Sequence, residues 1–141
     1  MEIICLDTNV LIAHKRAKKF ERAKKFDKDQ TFLFKLSRKF DSFAVSCMTV
    51  YELLRGDNQD EDIYWKAMFS NMLVITFDMN CADHAAKIYQ NLKKRGLLIE
   101  TEDLLIAATA LSHQMRLATT NVKHFARIEE LKLITPDKIQ V

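Results

Sequence analysis

Short continuous apolar runs alternate along this chain with longer stretches of helical period. Ile3, Ile4, Cys5 and Leu6 are four apolar positions in succession, the pattern of a strand buried on both faces. Asp7, Thr8 and Asn9 close that run with residues that favour caps and turns. The stretch from Val10 to about Phe40 predicts two helices with a break near residues 27–30. Phe32, Leu33, Leu36 and Phe40 share one face of the second. Residues 43–47 predict a second strand. Thr49 to Glu52 then has the form of a capping box, followed by Leu53, Leu54 and a stop at Gly56. A polar loop at 57–60 precedes a helix over 63–69, and residues 73–76 predict a third strand. Residues 82–95 form an amphipathic helix with Ala85, Ile88, Tyr89 and Leu92 on its apolar side, closed by Gly96. Thr101, Glu102 and Asp103 open a further helix that runs to about Met115. A fourth strand at 117–119 ends at Thr120 and Asn121, and a short fifth strand covers 131–134. Strands alternating with helices imply βαβ units. The expectation is an α/β fold with a central, mostly parallel five-stranded sheet flanked by helices on both faces. No repeat or linker divides the chain, so residues 1–141 read as one domain.

Composition narrows this picture. A chain of 141 residues, 48% hydrophobic and 29% charged, is large enough to bury a core without staples. No apolar run approaches the roughly 20 residues that span a bilayer. The opening residues are too short and too acidic for a signal peptide. The three cysteines, Cys5, Cys47 and Cys81, are odd in number and widely spaced, which suits reduced thiols in a cytoplasmic protein. Cys5 and Cys47 sit in apolar runs and are expected to pack as small hydrophobes. The two glycines, Gly56 and Gly96, cannot build a P-loop, a dinucleotide fingerprint or a nucleophile elbow. Nucleotide-driven phosphoryl transfer through a P-loop, nicotinamide or flavin redox chemistry and elbow-type acyl transfer are thereby set aside.

Net charge is only +3, yet half of the 22 Lys and Arg residues fall between Lys15 and Lys39. Lys15, Arg16, Lys18, Lys19 and Arg22 begin the densest run. Such a run serves either as a phosphate-binding patch or as the solvated face of a helix.

In an open parallel sheet, ligands bind beyond the carboxyl ends of the strands. Four polar positions fall there. Asp7 follows the first strand, Glu52 lies in the first turn after the second, Asp103 opens the helix leading into the fourth, and Asn121 follows the fourth. Taken singly, each has a structural explanation as a cap, a dipole partner or a turn residue. Taken together, three carboxylates converging on one pocket repel each other, and a cation relieves that repulsion. Oxygen ligands suit Mg²⁺ or Mn²⁺. The four histidines, His14, His84, His113 and His124, lack zinc-like spacing. A hard divalent ion held by carboxylates acts on phosphate, which predicts phosphodiester hydrolysis.

The same residues carry a family resemblance. Leu6-Asp7-Thr8-Asn9-Val10-Leu11-Ile12 resembles the opening motif of PIN domains. The stretch from Ser46 to Gly56, with Glu52 inside it, resembles their second motif. Glu102-Asp103-Leu104-Leu105-Ile106-Ala107-Ala108 resembles the third, and Thr119-Thr120-Asn121-Val122-Lys123-His124-Phe125 the fourth. Among PIN domains the chain is most similar to VapC toxins. That resemblance implies a Mg²⁺- or Mn²⁺-dependent endoribonuclease that cuts structured RNA such as tRNA or rRNA, a homodimer, and a cognate VapB-type antitoxin. It implies Asp7 and Asp103 as the principal metal ligands, Glu52 completing the acidic triad, and Asn121 at the fourth position of the site. Thr8, Asn9 and Thr120 would support the pocket, while Lys15, Arg16, Lys18, Lys19 and Arg22 would hold the RNA backbone. Many relatives have aspartate where this chain has Asn121, so a second metal is less secure. Glu100 or Glu102 could supply a fourth acid, although Glu102 cannot face the pocket as its neighbour Asp103 does. Two other functions share these features: a PIN nuclease for RNA processing or DNA cleavage, and a non-catalytic PIN-like module that binds RNA or protein.

Overall fold

The computed structural model describes residues 1–22, 31–56 and 58–139, with side chains for all of these except 18–22. The break expected near residues 27–30 lies outside the described residues. Five strands form one sheet: β1 (Ile3–Leu6), β2 (Ser42–Ser46), β3 (Leu73–Ile75), β4 (Leu117–Ala118) and β5 (Leu133–Ile134). Their order across the sheet is β3-β2-β1-β4-β5. Every neighbouring pair is parallel, so the sheet is wholly parallel.

The side-chain alternation of each strand divides the core into two layers. Cys5, Ala44, Ile75 and Leu117 face the layer covered by α5 (Met79–Lys94), α6 (Thr101–Ser112) and α7 (Val122–Phe125). Ile4, Leu6, Val45, Ala118 and Ile134 face the other layer, under α1 (Thr8–Arg22), α2 (Phe32–Ser37), α3 (Cys47–Leu54) and α4 (Gln59–Phe69). A strand such as β1, fully buried from Ile4 to Leu6, must therefore be apolar at every position. That is why it reads as a continuous run and not as an alternating one.

Several boundaries differ from expectation. The helix after β2 begins at Cys47, because Ser46 is its N-cap and accepts a hydrogen bond from the Thr49 backbone N–H. Thr49 is thus inside the helix, and Glu52 sits in the second turn instead of the first. The stretch expected as a loop at 57–60 instead contributes Gln59 and Asp60 to α4, whose N-cap is Asn58. The acids Asp60, Glu61 and Asp62 occupy its first turn, where they complement the helix dipole. Helix α5 starts earlier than expected, with Asp78 accepting from the Cys81 N–H. Tyr89 is 45% exposed and lies outside the apolar stripe formed by Ala85, Ile88 and Leu92. Helix α6 ends at Ser112, and Gln114 then takes a positive φ of 58°. Gly96, at φ 66°, supplies the left-handed residue that ends α5. Cys5 and Cys81 are buried, whereas Cys47 is only half-buried.

Lys15 belongs to this framework. Its ammonium lies 2.9 Å from Glu61 Oε1 and 5.3 Å from the ring centroids of both Tyr64 and Trp65, tying α1 to α4.

Candidate active site

The chain enters the sheet at β1, winds through β2 to β3 on one side, and returns to place β4 on the other. The winding direction reverses between β1 and β4. In doubly wound sheets that switch point opens a crevice at the carboxyl ends of the strands. Asp7 follows β1 and Thr119 to Asn121 follow β4, so both arms of the crevice carry polar groups.

Asp7 is the centre of the arrangement and is only 2% exposed. Its Oδ1 accepts from the Thr8 N–H at 2.8 Å, and its Oδ2 accepts from the Thr119 hydroxyl at 2.8 Å. Burial pushes its carboxyl up to about 6, the charges of Asp103 and Glu52 add to the rise, and the two hydrogen bonds oppose it. Asp103 stands in the first turn of α6. Its carboxyl is also raised, first by burial and then by the charges of Glu100 and Glu102; its contact with His124 opposes the rise when Nδ1 carries a proton.

Glu52 reaches the site through a run of hydroxyls. The Thr8 hydroxyl donates to Glu52 Oε1 at 2.9 Å and lies 3.0 Å from the Thr49 hydroxyl, which in turn lies 3.4 Å from that of Ser46. A carboxylate only accepts, and each hydroxyl has a single proton. The direction is therefore fixed: Ser46 donates to Thr49, Thr49 to Thr8, and Thr8 to Glu52. Thr49 turns inward to this chain and is fully buried, and Glu52 serves Thr8 instead of capping its own helix.

On the opposite arm, the Asn121 N–H donates to Thr119 Oγ1 at 2.9 Å. Asn121 Nδ2 lies 3.4 Å from Asp103 Oδ2 and 3.1 Å from His124 Nδ1, and His124 Nδ1 lies 3.4 Å from the same Asp103 oxygen. The structure thus links Asp7, Glu52, Asp103 and Asn121 through Thr8 and Thr119. Among the described residues, no three acidic, histidine or cysteine side chains are drawn into a closed set of ligands. Asp103 and Glu52 act on Asp7 by charge and by shared partners, and the three do not form a finished cage.

The other pocket residues are placed differently from expectation. Thr8 is buried in the site, but Asn9 and Thr120 are exposed and donate to none of the acids. Ser46, Thr49, Thr119 and His124 take those supporting places. One signal in the sequence could have found Ser46 and Thr119, hydroxyl residues at strand ends; Thr49 and His124 lie inside α3 and α7 and carry no such signal. Glu102 is half-buried beside Asp103.

Of the basic run, Lys15 is engaged with α4 and Arg16 is exposed. The side chains of Lys18, Lys19 and Arg22 lie outside the described residues. With Arg16 read as a contact to the RNA backbone, Arg16→Ala is expected to lower the salt slope of RNA binding by about 1, the contribution of one phosphate contact. Lys15→Ala is expected to leave that slope unchanged and to lower stability by about 1 kcal/mol in a thermal melt. Filter binding across a salt series separates the two.

Fold and site together define a doubly wound α/β protein with a carboxylate centre at its switch point. The chain belongs to the PIN-domain family, whose model matches residues 4–131. It is 38% identical over 96 residues to the ribonuclease VapC1 of Methanocaldococcus jannaschii, covering 67% of this chain and 71% of that one. It is 30% identical over 143 aligned positions to the ribonuclease VapC1 of Rickettsia felis, covering 94% and 95% of the two chains. Its fold is similar to that in the VapBC-1 structure from nontypeable Haemophilus influenzae, with a TM-score of 0.74 and 27% identity over 94% of this chain and 97% of the other. The DNA-bound VapBC2 structure of Rickettsia felis has the same fold, with a TM-score of 0.73 at 24% identity.

Proposed function

We propose that this chain is an endoribonuclease that cleaves structured RNA with the help of Mg²⁺ or Mn²⁺, and that it is the toxin of a toxin–antitoxin pair restrained by a VapB-type antitoxin. The single observation that carries the metal reading is Asp7. It is a nearly inaccessible carboxylate held by two hydrogen bonds and pressed by two further acids, at the open end of a parallel sheet. The ribonuclease and antitoxin parts rest on the relatives named VapC and on the VapBC structures.

The donor set fits a hard divalent ion. Asp7, Asp103 and Glu52 offer only oxygen, and each Asp7 oxygen accepts one hydrogen bond and keeps a second lone pair. Asp7 and Asp103 would hold the ion, with Glu52 binding directly or through water. When bound, such an ion polarises water and stabilises charge on phosphoryl oxygens. The chain's own groups do the rest. Thr119 and the Thr8 N–H keep the Asp7 carboxylate ionised and fixed. Thr8 holds one oxygen of Glu52, leaving the other to orient a water. Exposed basic side chains such as Arg16 would meet the RNA backbone, giving salt-sensitive affinity without base choice. Among the described residues, no helix is long and apolar enough to cross a membrane.

The test is the chemistry of the cut ends together with ion binding. Attack by water leaves the phosphate on one side of the break and no 2′,3′-cyclic phosphate, because the ribose hydroxyl is not the nucleophile. Calorimetric titration of the purified chain with Mn²⁺ should show saturable binding that is absent in Asp103→Asn. Cyclic ends, or no Mn²⁺ binding, would overturn the reading.

A further inference from the structure

We propose that Tyr51, held by Arg55, is a stacking platform for an unpaired base of the RNA beside the acidic centre. The inference rests on the reading of the chain as a ribonuclease. It adds a contact with a base, where the basic side chains meet only the backbone.

Met48, Tyr51, Glu52 and Arg55 recur at i, i+3, i+4 and i+7, so they form one stripe along α3. Arg55 is the C-cap and keeps a right-handed helical backbone, so the stripe extends to it. Two of its members fix where the stripe faces. Glu52 receives the Thr8 hydroxyl beside Asp7. Met48 packs against the core layer that holds α6, the helix bearing Asp103. The stripe therefore follows the lip of the crevice, with Tyr51 and Arg55 on its outer part. The other side of α3 faces the core: Thr49 and Leu53 are buried, and Val50 and Leu54 pack against the second core layer. Among the described residues of α3, Tyr51 is the one large apolar side chain left exposed, at 57%.

The ring has a partner on its own helix. The Arg55 guanidinium, one turn on, lies over it at 5.6 Å from the centroid, a cation–π geometry. That contact favours one attitude of the ring, and the exposure of Tyr51 leaves ring surface for a second flat group. The chemistry of the pair selects the occupant. A nucleotide carries both a flat base, which the ring takes, and an anionic phosphate, which the guanidinium takes. Stacking accepts any base but needs a free base face, which a nucleotide inside a double helix does not offer. The platform therefore chooses unpaired nucleotides over paired ones without reading sequence. Tyr89 supplies an internal control. It is 45% exposed with the Lys93 ammonium 5.9 Å from its ring, but it stands on α5, which contributes none of the four residues of the site.

The experiment measures binding by fluorescence anisotropy in an Asp7→Asn background, so that the RNA stays intact. The probes are a short single-stranded RNA of mixed sequence and the blunt duplex it forms with its complement. Tyr51→Leu and Tyr51→Gln both remove the ring and are expected to bind the single strand about tenfold more weakly, the scale of one lost base stack. Their binding of the duplex and their melting temperatures should match those of the background chain. Tyr51→Phe, which keeps the ring, and Tyr89→Leu should bind both probes as that chain does. Unchanged single-strand binding in the two ringless variants would overturn the inference. So would an equal loss on single strand and duplex, a Tyr51→Phe variant as weak as Tyr51→Leu, or an equal loss in Tyr89→Leu. RNA cleavage by the unmodified chain is assayed alongside: its absence would overturn the ribonuclease reading and this inference with it, whereas the other adverse results leave that reading standing.

Discussion

An Asp7→Asn protein is expected to lose RNA cleavage by more than about a hundredfold and, without metal, to melt at a higher temperature than the wild type. The loss follows from the role of Asp7 as a ligand: removing an outer partner alone typically costs 10–100-fold, so removing the ligand itself costs more. The gain follows from burial. The carboxyl is raised from 3.8 to about 6 at a position 2% exposed. A shift of roughly two units corresponds to about 3 kcal/mol that the ionised group subtracts from stability at neutral pH. An amide of the same shape can still accept from the Thr8 N–H and can donate to the Thr119 oxygen, so most of that penalty is relieved. The sign with pH is definite. Between 3.8 and about 6 the folded state holds a proton that the unfolded state has released. Wild-type stability therefore falls as pH rises through this window, and the advantage of the variant opens there from near zero to its full size. Added Mn²⁺ should reverse the order at pH 7, since it stabilises only the chain that binds it. Differential scanning calorimetry at pH 4 and pH 7, with and without Mn²⁺, checks each part. A variant that cleaves at the wild-type rate would remove Asp7 from the chemistry.

The second large effect belongs to Thr119→Val, which preserves shape and deletes one hydroxyl. That hydroxyl donates to Asp7 Oδ2 and accepts from the Asn121 N–H. Its removal leaves a buried carboxylate oxygen and a partly buried amide short of partners, at a cost of about 1–3 kcal/mol. The lost bond favoured the ionised form of Asp7, so the Asp7 carboxyl climbs further above its ordinary range. Cleavage at pH 7 should drop about tenfold, and the deficit should shrink as pH rises and Asp7 gives up its proton again. A pH–rate profile with the wild-type shape would show that Thr119 does not tune Asp7.

How far the fold could be read in advance depended on whether local pattern or tertiary partner controlled each segment. Strand β1 was legible because all its neighbours are apolar and no polar alternative competes. The start of α3 was not, because Ser46 and Thr49 are both good caps, and only the buried Thr8 hydroxyl decides that Thr49 turns inward. The beginning of α4 was mistaken for a loop because a polar first turn and a polar loop share the same composition. Helix α7 has four residues, too few for any period to register. In the site, Asp7 was legible because charge at the edge of an apolar run stands out, whereas Glu52 and Asp103 lie inside α3 and α6 and were read from the motifs around them. The hydroxyls of Ser46, Thr49 and Thr119 and the imidazole of His124 were not, because their meaning lies in partners up to 112 residues away.

The strand order also constrains when the chain can become dangerous to its maker. Strand β1 receives β2 early, but its other neighbour, β4, begins only at Leu117. During synthesis the amino-terminal half can collapse with one flank of β1 bare. Asp7 waits there until Thr119, Asn121 and the helix bearing Asp103 have emerged from the ribosome. The acidic centre is thus complete only once the segment carrying Asp103, Thr119 and Asn121 has joined β1.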